Sequence, residues 1–308
     1  MAARRERRGE QERASYKMTR ADAAHFEPDA RRSADKNTMN SDSTVDRQLD
    51  AAPESEILGV VGAGGIGRVG IGPPDNIQWT VFIPLCAWKL VGQELRKTEM
   101  TVRKFVSDEA AVLAFKAPNA YDVVRIKARW LENTVLDSPQ ALLTDLVGKD
   151  DSDSELNAYA LELQEAVTFE DPMFGQFTLD RSLDWYEATT DWCGNAIRLT
   201  LPAGSPDDTT NGLGVARKLW AEEQMWRRKI TDFAVHELLG LKNASWRVQN
   251  DSEVSVEEFA RRLTLDSVWI NANGSFEFWY DDGDLFCGHS IMVRGNLSHG
   301  PEKATIQG

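Results

Sequence analysis

Residues 268–293 read VWINANGSFEFWYDDGDLFCGHSIMV, and their periodicity decides the fold of the C-terminal half. Val268 to Asn271 and Ser275 to Tyr280 are short runs rich in aromatic and β-branched residues, the composition of strands. Asn273-Gly274 lies between them, and both residues tolerate positive φ, so the pair predicts a tight hairpin turn. Asp281-Asp282-Gly283-Asp284 is the next turn signal, followed by a strand from His289 to Val293 and another from Ala304 to Ile306. The chain therefore ends in a series of hairpin-connected strands.

Working upstream, Phe174 to Leu179 and Ala196 to Leu201 alternate with period two, and Trp185 to Trp192 forms a strand closed by a Cys193-Gly194-Asn195 turn. Residues 203–212, AGSPDDTTNG, read as a loop. A helix is expected from about Leu213 to Leu241, because Leu219, Trp226, Ile230, Phe233 and Leu238 make one apolar stripe. Gly240, Lys242 and Asn243 mark its end, and Ser255 caps a shorter helix through Leu263.

Further upstream, Trp79 to Leu90 is a strand run interrupted at Pro84, and Thr101 to Val106 is a second strand. Ser107 caps a helix from Asp108 to Phe115, Tyr121 to Leu131 alternates as a strand with one wet face, and Ala141 to Val147 fits either element. Ser152 and Glu155 have capping-box spacing ahead of a helix from Glu155 to Glu165. These elements predict an α+β protein of two small domains with mainly antiparallel sheets, the C-terminal one packed on a long amphipathic helix. The expected division is a disordered arm at 1–50, a small domain with a Gly-rich first strand at 51–150, and an acidic domain at 151–308. The arm has almost no large apolar residues. Met18 and Met39 are alternative starts to Met1, and a start near Met39 would make the arm an artefact.

The 308 residues carry a formal charge of −14, and residues 151–308 hold all of the excess, with 13 basic and 27 acidic side chains. Nucleic acids and anionic membranes are bound by clustered Lys and Arg, so neither is an expected partner. The Arg4, Arg5, Arg7 and Arg8 cluster has the composition of a nucleic-acid or targeting arm, but Glu6, Glu10 and Glu12 interleave it. Three widely spaced cysteines, Cys86, Cys193 and Cys287, form neither a disulfide framework nor a zinc motif, which fits a reducing cytoplasm. No apolar run is long enough to span a bilayer, and no apolar leader segment opens the chain.

A longer pattern runs through the acidic half. Phe169-x-Asp171-x-x-Phe174-Gly175-x-Phe177-x-Leu179-Asp180-Arg181 is followed by Leu241-Lys242-Asn243-x-x-Trp246, and then by the stretch from Gly274 to Ile291. Together these resemble the bacterial domain-of-unknown-function family numbered 2262. Cys287 stands where that pattern has an aromatic residue. Residues 77–165 resemble a module found ahead of that domain. The resemblance implies a domain name and carries no activity with it.

Chemistry-bearing residues are densest in the tail: Glu277, Asp281, Asp282, Asp284 and His289. Carboxylates with an imidazole can do acid–base work, and Asp282, Asp284 and His289 could ligate a divalent metal. The same residues also suit a turn and a wet strand face. Gly62, Gly64 and Gly67 match G-x-G-x-x-G, but Gly70, Gly72, Pro73 and Pro74 forbid the helix that would receive a pyrophosphate, so no nucleotide cofactor is expected. His236-Glu237 has Gly240 where a zinc protease needs its second His. Seven of ten tryptophans lie in the acidic half: Trp185, Trp192, Trp220, Trp226, Trp246, Trp269 and Trp279. Tryptophan supplies either core packing or an interface. Three functional readings follow: a non-catalytic protein-interaction or regulatory module, including an immunity-like one; a metal-dependent enzyme or metal binder at 277–289; and a small-ligand sensor with a pocket between the domains.

Overall fold

The computed structural model describes residues 44–72, 77–115, 117–136, 138–247 and 252–308. Most of the expected arm, with Met18 and Met39, lies outside the described residues. Its last part does not: residues 44–51 are helical (α1), with Val45 and Leu49 buried. Asp46 of α1 pairs with Arg103, and the Asp50 carbonyl accepts from Arg129. The chain divides into two compact units, 1–165 and 166–308.

The first unit contains β1 (Glu54–Val61), β2 (Gly67–Ile71), β3 (Gln78–Leu90), β4 (Met100–Val106), α2 (Glu109–Ala114), β5 (Val123–Leu131), β6 (Gln140–Lys149) and α3 (Ser154–Gln164). The strand order is β1-β5-β6-β4-β3-β2, with β1 also pairing β3, so five strands close into a barrel and β2 stands outside it. Only the β4–β6 contact of this sheet is parallel. The expected interruption at Pro84 does not occur, because β3 runs unbroken through it. On one side β3 pairs β2 through residues 78–82 and then β1 through 85–90. Pro84 sits between those two ladders, where its missing N–H removes no ladder bond. Its carbonyl still accepts from the Gly62 N–H at 2.8 Å. The core is filled by Val81, Ile83, Leu85, Trp88, Met100, Val102 and Ile126.

Helix α3 belongs to this unit. Asp153, not Ser152, is its N-cap, accepting from the Leu156 N–H. Leu156 and Ala160 pack against Leu58, Val60, Ala87 and Val123, and Lys89 of β3 pairs with Asp153 at 2.5 Å and Glu155 at 3.2 Å. The division between units thus falls after α3, later than the composition break near 150.

The second unit contains β7 (Thr168–Asp171), β8 (Gly175–Asp180), β9 (Trp185–Trp192), β10 (Asn195–Pro202), α4 (Pro206–Ala221), α5 (Glu223–Ser245), α6 (Val256–Arg262), β11 (Thr264–Ile270), β12 (Ser275–Asp281), β13 (Ser290–Asn296) and β14 (Gly300–Gln307). The eight strands lie in sequence order, antiparallel except at β10–β11, where the three helices intervene. The single long helix expected from the apolar stripe is two helices, broken at Glu222 (φ −127°, ψ 35°). The first begins inside the stretch read as a loop. Ser205 caps it, Pro206 occupies the first turn, and Asp207 and Asp208 face its positive end. These signals prevail over the loop-like composition. The helices bury Leu219, Trp220, Trp226, Ile230, Ala234 and Phe259 against one sheet face, which offers Phe276, Phe278, Ile291 and Val293.

Candidate functional site

In the structure, Asp281, Asp282 and His289 each bond to nearby backbone. Asp282 is 1% exposed, and its carboxylate accepts from the backbone N–H groups of Asp284 and Phe286. Asp281 accepts from the Gly283 N–H at 2.9 Å. Gly283 and Asp284 both adopt positive φ, 54° and 64°, in the turn these carboxylates shape. His289 Nδ1 donates to the Phe286 carbonyl, and its ring meets the Trp246 ring edge-on at 5.3 Å. Asp282 and His289 thus hold the 282–289 segment, while Glu277 lies on the sheet face away from the helices. Among the described residues, no three His, Cys, Asp or Glu side chains gather in a way that could hold a metal ion.

Other residues of the sequence pattern are also scaffold. Asp171 is 4% exposed, accepts from the N–H groups of Met173 and Phe174, and pairs with Arg217 of α4. Lys242 donates to the Trp246 carbonyl at 2.6 Å. Asn243 exchanges two hydrogen bonds with the Val254 backbone, closing the α5–α6 connection. In the first unit, Gly67 opens strand β2 and no helix, as its neighbouring glycines imply.

The opposite sheet face is different in kind. Strand parity sends Phe276, Phe278 and Tyr280 to the helices, and Glu277 and Trp279 to the other side. Cross-strand register sets Trp269 and Arg294 beside Glu277, and Ser267 and Met292 beside Trp279. Three indoles adjoin here. Trp185 lies 4.9 Å from Trp269 (centroids, tilted 55°), and Trp269 lies 5.0 Å from Trp279 (tilted 35°). Trp185 and Trp279 are partly exposed, while Trp269 is 8% exposed. Glu277 Oε2 accepts from Trp279 Nε1 at 3.1 Å. Burial pushes the Glu277 carboxyl up to about 7, against the smaller pull of the indole hydrogen bond and the Arg294 charge. Nearby, Arg198 bridges Asp266 and Glu187 across three strands.

This face sorts the tryptophans. Trp192, Trp220 and Trp226 belong to the core, Trp246 packs at its margin, and Trp185, Trp269 and Trp279 form the second-face ladder. Residues 171–306 match the model of the family described as "Uncharacterized protein conserved in bacteria (DUF2262)". The C-terminal unit is a DUF2262 domain. Residues 44–163 match a separate family, "Domain of unknown function (DUF7021)". Comparison with curated proteins and with solved structures finds no match.

Within the DUF2262 domain, the tail pattern serves two purposes. Asp282, Phe286 and His289 build the scaffold, while Glu277 and Trp279 face outward from the core. Glu277, grouped by sequence spacing with Asp281, Asp282, Asp284 and His289, accepts its hydrogen bond from Trp279. The signal that groups it with Trp279 is the period-two parity of β12. No sequence signal brings in Trp185, which lies on a strand two places from β11 in the sheet.

Proposed function

We propose that the chain is a non-catalytic interaction module of the reducing cytoplasm, whose DUF2262 domain docks a basic protein partner on its second sheet face. The observation that carries this reading is the Trp185–Trp269–Trp279 ladder with Glu277 beside it, on the face away from the helices. Clustered tryptophans with partial exposure are the usual anchors of protein interfaces. The acidic surplus of residues 151–308 supports a basic partner, because complementary charge accelerates encounter and rejects acidic competitors. The side chains spent on their own backbone, Asp282 and His289, add structural support to the domain and leave the ladder as the chemically distinctive surface.

The test is affinity capture followed by reconstitution with the purified partner. Binding should weaken at higher salt and fall about tenfold or more for the Trp185→Ala/Trp279→Ala variant. A partner that binds this variant as tightly as wild type would overturn the proposal, as would capture of acidic proteins alone.

A further inference from the structure

We infer that Glu277 and Trp279, with Trp185 and Trp269 as a wall, form the receptor for one arginine side chain of the protein partner. The inference rests on the docking reading above and supplies the chemistry of its anchor. The chain contains its own example of the arrangement. In the first unit, the Arg96 guanidinium lies 4.7 Å from the Trp88 ring centroid and 5.6 Å from that of Trp130, and donates to Glu132 at 2.7 Å. Trp88 and Trp130 are themselves 5.1 Å apart. Trp269, Trp279 and Glu277 repeat the two adjoining indoles and the carboxylate, at 5.0 Å between rings. A guanidinium suits this set because it is planar, weakly hydrated and forked: it can lie on an indole and hydrogen-bond a carboxylate at once.

The charges facing Glu277 are consistent with such a ligand. Arg294 stands opposite it on β13, with Lys303 beyond on β14. On the other side, Arg198 is committed to Asp266 and Glu187. The pull of Arg294 does not return the carboxyl to its ordinary range, because burial holds it up at about 7. A second guanidinium, delivered against Trp279, would favour the ionised form, so binding below neutral pH should release a proton.

The experiment titrates the full chain with acetyl-Gly-Arg-Gly-amide and with its lysine and citrulline counterparts, following the indole N–H signals by NMR. The expected result is a saturable shift of the Trp279 indole signal with the arginine peptide. Affinity should drop about tenfold or more for the neutral citrulline peptide and for Glu277→Gln, and the lysine peptide should bind more weakly than arginine. Binding should tighten as pH rises through about 7, and Glu277→Gln should abolish that dependence. Equal binding of citrulline and arginine peptides, or an unchanged Glu277→Gln variant, would overturn the inference. So would binding that appears only when Arg4, Arg5, Arg7 and Arg8 are replaced by Gln, since the occupant would then be the chain's own N-terminal segment. Failure of the docking reading looks different: the partner then binds Trp185→Ala/Trp279→Ala as tightly as wild type, whatever the peptides do.

Discussion

Trp279 Nε1 donates a 3.1 Å hydrogen bond to Glu277 Oε2, from two residues further along the same face of β12. That indole partly satisfies a carboxyl that its surroundings desolvate. Burial is the larger effect, and the carboxyl is pushed up to about 7.

That shift makes Glu277 a source of pH dependence. A carboxyl held above its unfolded value keeps its proton longer in the folded state. Its contribution is therefore fully present below about 4.5 and is lost as pH rises through about 7. The cost of ionising it is on the order of 1–3 kcal/mol. Glu277→Gln should thus gain stability relative to wild type between about pH 5 and 8, measured by urea denaturation. A difference between the two proteins that stays flat with pH would contradict this origin.

Asp282→Ala should cost about 2–4 kcal/mol, because it leaves the buried Phe286 N–H and the part-buried Asp284 N–H without their acceptor. Asp281→Ala, at an exposed position with one turn hydrogen bond, should cost about 1 kcal/mol or less. Denaturant midpoints compare the two. Equal losses would mean that the 282–289 segment is not held by Asp282.

Two glycines should respond in opposite directions to alanine. A Cβ on Gly295 would lie 2.3 Å from the Gly300 carbonyl oxygen and 2.7 Å from Pro301 Cα, both backbone atoms of the paired strand β14. Its replacement should cost roughly 2 kcal/mol or more by forcing β13 and β14 apart. Gly240 lies exposed within α5 with nothing within 4 Å of its would-be Cβ. Gly240→Ala should stabilise by about 0.5–1 kcal/mol through helix propensity. Thermal melting of both variants checks the pair, and destabilisation by Gly240→Ala would contradict the expected helix-propensity gain.

Limited proteolysis should cut between about residues 164 and 168, which are exposed, rather than at the acidic stretch 150–154. Asp150 and Asp153 there are engaged, by Arg125 and by Lys89 and the Leu156 N–H respectively. Early cleavage within 150–154 that separates α3 from the barrel would place the unit boundary where the composition changes.

Most strands of the DUF2262 domain were legible because they satisfy a local rule, whereas β7 at Thr168–Asp171 was not read. Trp185 to Trp192 ends in a turn with Cys193 and Gly194 at φ 53° and 84°, and Asn273-Gly274 turns with Gly274 at 88°. The α4–α5 break was not legible: the apolar stripe continues across Glu222, where the backbone leaves the helical region. The loop reading of 203–212 missed a cap, since Ser, Pro and Asp mark a helix start as readily as a turn.

By itself the sequence determined the α+β class, the hairpin turn at Asn273-Gly274, the acidic half and its family. Those properties depend on neighbours along the chain, on summed charge and on pattern. Tertiary structure alone decided that β1 closes a barrel onto β3 and β5, that Asp282 and His289 are scaffold, and that Trp185, Trp269 and Trp279 adjoin. Those facts depend on which strands lie side by side, and side-by-side placement is set by burial across the whole sheet rather than by any local spacing.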